Sequence, residues 1–377
     1  MAARMKDIAK ALRLSIVTVS KVLNKKDANI SEATRQRVLE CARRLDYRTN
    51  LAAKSLVTGQ SKMIGLIVPE LFHGFFGGVA AGMSDALTEQ GYGLIISSSR
   101  DSEELERSEI RQMLARSVDA VVVASCGSKT DALLAANRDV PVILLDRRLG
   151  APGAFWMVGT DDRLAGELAT QHLIDLGRTR IAYIGAASLS PTSDREEGFR
   201  AAMARAGLRV SAKHVVRLPK NEESNHVLGA RFMRKLLELK PWPDAVFCYN
   251  DPTAWGAMLA VFEAGLRVPD DVAVVGCGGV LYNELMRVPL TSVDLNAVLM
   301  GKQAANLAQR AVKERLSGVQ NEAVTVLLEP ALVARGSTGE QGGADRTGDE
   351  ILGSGRPQAL EPNRARPSRH GAVRTES

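Results

Sequence analysis

Apolar and polar positions follow two different periods along the chain. Near the N-terminus the period is helical: Met5, Ile8, Ala9 and Leu12 recur at i, i+3, i+4 and i+7. Ser15 is placed to cap a second helix, in which Val19, Val22 and Leu23 form a buried ridge while Ile16, Val17, Thr18 and Lys21 face outward. Ser31 opens a third, with Thr34, Val38, Cys41 or Ala42, and Leu45 on its inner face. Three short helices with a tight turn between the first two predict an all-α helix-turn-helix unit over residues 1–48. From Met63 the pattern becomes short β-branched runs alternating with amphipathic stretches. MIGLIVPE, YGLIISS, DAVVVAS and PVILLD form one set, and a second begins at FWMVGTD and continues through RIAYIG, HVVRLP, DAVFCYN and VAVVGC. Alternation of this kind predicts an α/β body over residues 62–337, made of two lobes with parallel, doubly wound sheets. Ligands of such sheets bind beyond the strand C-termini, here in the cleft between the lobes. Residues 338–377 hold few large apolar side chains and are expected to be a disordered tail.

Charge sharpens this division. The first sixty residues carry 13 Lys and Arg against 5 Asp and Glu, a net of +8, whereas the whole 377-residue chain is only +6. All the positive excess therefore sits on the small helical unit, the footprint of a phosphate-binding module joined to a near-neutral body. In a helix-turn-helix the start of the second helix meets base edges in the major groove, and hydroxyls there, Ser15 included, meet phosphates. The four cysteines are far apart with no C-x-x-C pair, which argues for buried thiols rather than a disulfide framework or a zinc site. MAARMKDIAK contains no apolar stretch of signal-peptide type and no run reaches membrane length, so a cytoplasmic, nucleoid-associated protein is expected.

MKDIAKALRLSIVTVSKVLN, followed by ISEATRQRVLECARRLDYRTNLAAKSL, resembles the headpiece of the LacI/GalR family of bacterial transcription regulators. The resemblance implies that Ile16 and Val17 read bases, that Thr18, Ser20 and Asn24 make phosphate or orienting contacts, and that Lys21 reaches a base or a phosphate. Aliphatic readers favour thymine methyl groups over bidentate hydrogen bonding. The stretch NLAAKSLVTGQSK, within residues 49–61, resembles the family's hinge helix. That likeness places Asn50 among the DNA contacts, makes Leu56 the wedge between base pairs, leaves Ala53 small enough for two hinge helices to meet, and puts Lys54 at the backbone. Two departures stand out. Arg13 occupies a turn position where the family has Gly, and Thr49 one where it has Pro.

The body, up to LLEPALVARGST, resembles the family's periplasmic-binding-protein-like core. Carried over by motif, the cleft residues are His73, Phe75, Ser125, Asp146, Asp161, Arg195, Asn250 and Asp251. Arg195, just before Gly198-Phe199, is the strongest ligand contact. After VAVVG the family commonly presents an aspartate, but this chain reads Cys277-Gly278-Gly279-Val280, with Tyr282 and Asn283 nearby as replacements. The segments SDALTEQG and ERSEIRQMLARS are expected at the dimer surface.

The resulting reading is a sequence-specific repressor that binds a pseudo-palindromic double-stranded operator as a homodimer, or as a tetramer. A small-molecule effector, a carbohydrate or derivative, controls it from the cleft. No cofactor, metal or membrane partner is expected. The alternatives are a ligand sensor of the same fold with weak or lost DNA binding, and a solute-binding protein. An enzyme finds little support: the chain lacks a G-x-G-x-x-G opening a helix, a phosphate-binding G-x-x-x-x-G-K-[ST] loop, a G-x-S-x-G elbow and His pairs at metal-ligand spacing.

Overall fold

The computed structural model describes residues 3–24, 30–47, 55, 59–151, 153–186, 190–219, 224–318 and 322–339. The N-terminal unit consists of α1 (Met5–Leu12), α2 (Ile16–Leu23) and α3 (Glu32–Arg44). Their inward faces, Ile8, Ala9, Val19, Val22, Val38, Cys41 and Ala42, form a small core of their own. Ser15 and Ser31 cap α2 and α3 by accepting the N–H groups of Thr18 and Thr34. Arg13 takes the left-handed conformation of the turn, with φ 53° and ψ 42°, and the Leu14 N–H returns to the Ala9 carbonyl at 3.0 Å. The turn geometry is therefore intact with Arg in place of Gly, at a cost of about 1–2 kcal/mol.

The body is built from two six-stranded sheets. The first runs β11-β5-β4-β3-β1-β2 and the second β12-β10-β9-β8-β6-β7. In the first lobe β1 (Met63–Val68), β2 (Gly93–Ser98), β3 (Ala120–Val123), β4 (Val142–Leu145) and β5 (Trp156–Thr160) alternate with α4 (Gly74–Glu89), α5 (Glu103–Ala115) and α6 (Asp131–Asp139). The second lobe holds α7 (Asp162–Asp175), β6 (Ile181–Ala186), α8 (Ser190–Arg205), β7 (Val215–Leu218), α9 (Asn225–Leu237), β8 (Ala245–Cys248), α10 (Asp251–Glu263), β9 (Ala273–Gly278) and β10 (Thr291–Asp294). The long helix α11 (Ala297–Ser317) then packs back on α4, β11 (Thr325–Leu328) joins the first sheet, and β12 (Ala331–Val333) joins the second. All pairings are parallel except β10 with β12.

Two features differ from the sequence reading. FWMVGTD does not open the second lobe but pairs with β4 and β11 in the first sheet. The strands β10, β11 and β12 carry no alternation strong enough to mark them in the sequence. The chain consequently passes between lobes three times, near residues 161, 295 and 329. The passages are tied together, with the Asp161 N–H donating to the Leu328 carbonyl at 3.0 Å and Asn296 Nδ2 to that of Glu329 at 3.0 Å. The body also extends one residue past the expected boundary: Thr338 is buried, its hydroxyl 2.8 Å from that of Thr291. The expected tail beyond Gly339 lies outside the described residues.

Candidate functional site

On α2 the exposed tip is aliphatic. Ile16 is 53% and Val17 63% exposed, while Val19 and Val22 turn into the core. Lys21 is exposed one turn further along. Ser15 and Thr18 place their hydroxyls 2.8 Å apart, and Asn24 Nδ2 donates to the Ser20 carbonyl at 2.8 Å and to its hydroxyl at 3.2 Å. Asn50, Ala53, Lys54 and Leu56 lie outside the described residues.

The cleft opens where the C-terminal ends of both sheets face each other and is lined by residues of both lobes. His73 and Phe75, at the start of α4, line it with Asp146 after β4, Arg195 on α8 and Asn250 before α10. These five expected residues are brought together. Three others are not. The Ser125 hydroxyl donates to Glu106 at 2.7 Å and ties the end of β3 to α5. Asp161 caps α7 by accepting the Leu164 N–H at 2.9 Å. Asp251 is fully buried and accepts from the Ser292 hydroxyl at 2.6 Å, Asn283 Nδ2 at 2.8 Å and the Val280 N–H at 3.1 Å. It therefore holds the Gly278-Gly279 loop from behind. Asn283 belongs to that same internal knot, accepting the Trp255 indole N–H at 2.9 Å, and Tyr282 is exposed; neither lines the cleft in place of the missing aspartate.

Arg195 is the pivot of the site. Its Nε and Nη2 donate to Asp162 at 2.8 and 2.7 Å, and its Nη1 to the Tyr249 carbonyl at 2.6 Å. Both partners of this ion pair are buried, and burial pushes the Asp162 carboxyl up to about 6 against the pull of Arg195. A guanidinium has five N–H groups, so two remain for a ligand. Arg147 donates to Asp101 at 3.1 Å and to the Ser125 carbonyl at 3.4 Å.

The same cleft holds polar atoms with nothing to bond. Among the described residues, His73 Nδ1, Asp146 Oδ1 and Thr192 Oγ1 are buried without a hydrogen-bond partner, and all three residues line the cleft. Buried polar atoms are nearly always paired, so three unpaired ones contributed to one cleft by both lobes mark a place for a polar guest. Asp146 is moreover held at φ 61°, a strained conformation for a non-glycine residue. Burial holds His73 down at about 4, helped by the Arg147 and Arg195 charges, so its ring is neutral at physiological pH. Burial raises Asp146 against the same two guanidiniums. Phe75, Phe76 and Tyr249 supply apolar faces around this polar set.

Sequence reasoning missed Thr192, Arg147, Tyr249 and the true partner of Arg195. In the pair Asp161-Asp162 both carboxylates look alike; only the helical geometry of α7 turns the second toward α8. For Thr192 and Tyr249 the sequence carries no distinguishing signal.

A helix-turn-helix with an exposed reading tip, joined to a two-lobed body with a polar cleft at its strand ends, defines a ligand-controlled DNA-binding regulator. Residues 4–50 match the family described as bacterial regulatory proteins, lacI family, and residues 61–326 match the periplasmic binding proteins and sugar binding domain of LacI family. The chain belongs to this family: it is a DNA-binding transcription repressor with a small-molecule effector site. It is 31% identical over 337 residues to the HTH-type transcriptional repressor PurR of Vibrio cholerae, a match spanning 88% of this chain and 97% of that one. A solved CelR transcriptional regulator in complex with cellobiose is 28% identical with a TM-score of 0.66, covering 89% and 99% of the two chains. The lac repressor dimer bound to operator and the anti-inducer ONPF shares the fold at a TM-score of 0.77 and 23% identity, over 90% and 99%.

Proposed function

We propose that this repressor acts as a homodimer on a pseudo-palindromic operator, and that a carbohydrate or carbohydrate derivative in the cleft sets the fraction of dimers able to bind. The observation that carries the effector reading is the convergence of the unpaired His73 Nδ1, Asp146 Oδ1 and Thr192 Oγ1 beside the outer N–H groups of Arg195. Hydroxyls that both donate and accept match such a set, and the aromatic faces suit the C–H side of a sugar ring. The likeness to a cellobiose-bound regulator supports the same class.

In this reading Ile16, Val17 and Lys21 enter the major groove, Ser15, Thr18, Ser20 and Asn24 shape and anchor the helix at the backbone, and Asn50, Ala53, Lys54 and Leu56 serve the minor groove. Subunit contact draws on exposed apolar side chains. Leu71 and Phe72 before α4, and Leu281, Tyr282 and Leu285 after β9, lie on adjacent loops and present such surface. SDALTEQG adds a polar face, with Ser84, Asp85, Thr88, Glu89 and Gln90 exposed and Leu87 turned into the core.

The test separates two residues of the cleft. Asp146→Asn leaves the melting temperature of the ligand-free protein near its starting value and removes the stabilisation conferred by the effector, scored with a panel of mono- and disaccharides. Arg195→Ala loses effector binding too, but it strands Asp162 without its partner and costs about 3–5 kcal/mol of stability. Undiminished sugar stabilisation in Asp146→Asn would move the effector elsewhere.

A further inference from the structure

The polar side chains of α2 are largely spent within the helix. Ser15 accepts the Thr18 N–H and shares its hydroxyl with that of Thr18; Asn24 donates to Ser20 twice. What the N-terminal tip offers to a groove is Ile16 and Val17, each more than half exposed, on a headpiece whose other large apolar residues, among those described, pack into or against its core. Neither side chain has a donor or an acceptor, so neither distinguishes the hydrogen-bonding patterns of the base edges. The apolar group that the major groove presents is the C5-methyl of thymine. 5-Methylcytosine carries the same methyl at the same position of the ring.

We propose that Ile16 and Val17 recognise the C5-methyl group itself, so that operator affinity depends on pyrimidine methylation: 5-methylcytosine substitutes for thymine at the contacted step, and uracil or unmethylated cytosine does not. This rests on the assignment of α2 to the major groove. It makes cytosine methylation an input to repression that is separate from the effector. A hydrogen-bonding reader would behave in the opposite way, because thymine and uracil present it with the same O4 acceptor.

The full-length protein is first used to select binding sites from a random duplex library. Each thymine of the selected site is then replaced singly by uracil, by cytosine and by 5-methylcytosine, the last two opposite guanine, and affinities are compared at one fixed salt concentration. At one or more thymines per half-site, uracil is expected to weaken binding about fourfold, the effect of one methyl group no longer withdrawn from water. The advantage of 5-methylcytosine over cytosine at that position should match that of thymine over uracil. In the Ile16→Ala/Val17→Ala double variant both ratios fall to one, while binding to nonspecific DNA at low salt persists. Equal affinity for thymine and uracil at every position overturns the proposal, and so does a methyl dependence that survives in the double variant. The selection is run with and without the sugar panel, and one that enriches no site under either condition fails earlier and refutes the major-groove assignment of α2 itself.

Discussion

Arg13 and His73 show how single residues carry strain and charge. Arg13 keeps a left-handed conformation that a Cβ disfavours. Arg13→Gly should therefore stabilise the headpiece by about 1–2 kcal/mol, seen as a rise in its denaturation midpoint with the slope unchanged. His73 sits at about 4 in the fold, below its ordinary 6.5. Between those values the unfolded chain takes up a proton that the folded chain refuses. The contribution of His73 to stability is thus complete above pH 6.5 and is lost as the pH falls toward 4. Denaturation at pH 7 and pH 5 should show a larger loss in the wild type than in His73→Gln; equal losses would mean that the ring is already charged in the cleft.

At the scale of elements, three helix pairs cross on reciprocal glycines. A Cβ on Gly82 or Gly301 would overlap a carbonyl across the α4–α11 contact, and Gly166 with Gly198, and Gly229 with Gly256, do the same for α7–α8 and α9–α10. The α7–α8 crossing has a chemical consequence, because Asp162 lies on one helix and Arg195 on the other. Gly198→Ala forces the two apart and should cost about 1–3 kcal/mol. It should also weaken effector binding through displacement of Arg195, measurable by thermal denaturation with and without sugar. A variant as stable and as responsive as the wild type would show that the crossing yields without strain.

Across the whole molecule, the two lobes are joined on one side by the three chain passages. They also touch through Arg148, which follows β4: its N–H donates to the Ser190 hydroxyl at 2.8 Å, and its guanidinium pairs with Asp194. Arg148 is about half exposed, so this pair is worth at most about 1 kcal/mol. A small energy of this kind would bias any open–closed equilibrium of the lobes, because a ligand acts only through its differential affinity for two states. Asp194→Ala should loosen the closed form and weaken the effector by up to about fivefold, with the ligand-free melting temperature little changed. Solution scattering that is identical for variant and wild type would rule out a latch.

Much of this protein was legible in its sequence because local physics suffices for it. Helical spacing with Ser15 and Ser31 as caps located the headpiece, charge asymmetry separated it from the body, and β-branched runs announced two parallel sheets. The cleft positions of His73, Phe75, Asp146, Arg195 and Asn250 came instead from the likeness of their motifs to the LacI/GalR core, because local spacing by itself singles out no cleft residue. Which sheet a strand joins is another matter: FWMVGTD reads like any buried strand, and only the pairing with β4 and β11 assigns it to the first lobe. Ser125 and Asp251 carry suitable chemistry, yet packing turns one toward Glu106 and the other beneath a glycine loop. A sequence specifies what a side chain is able to bond. Whether that capacity is consumed inside the protein or left open to a guest depends on neighbours that the chain meets only after folding.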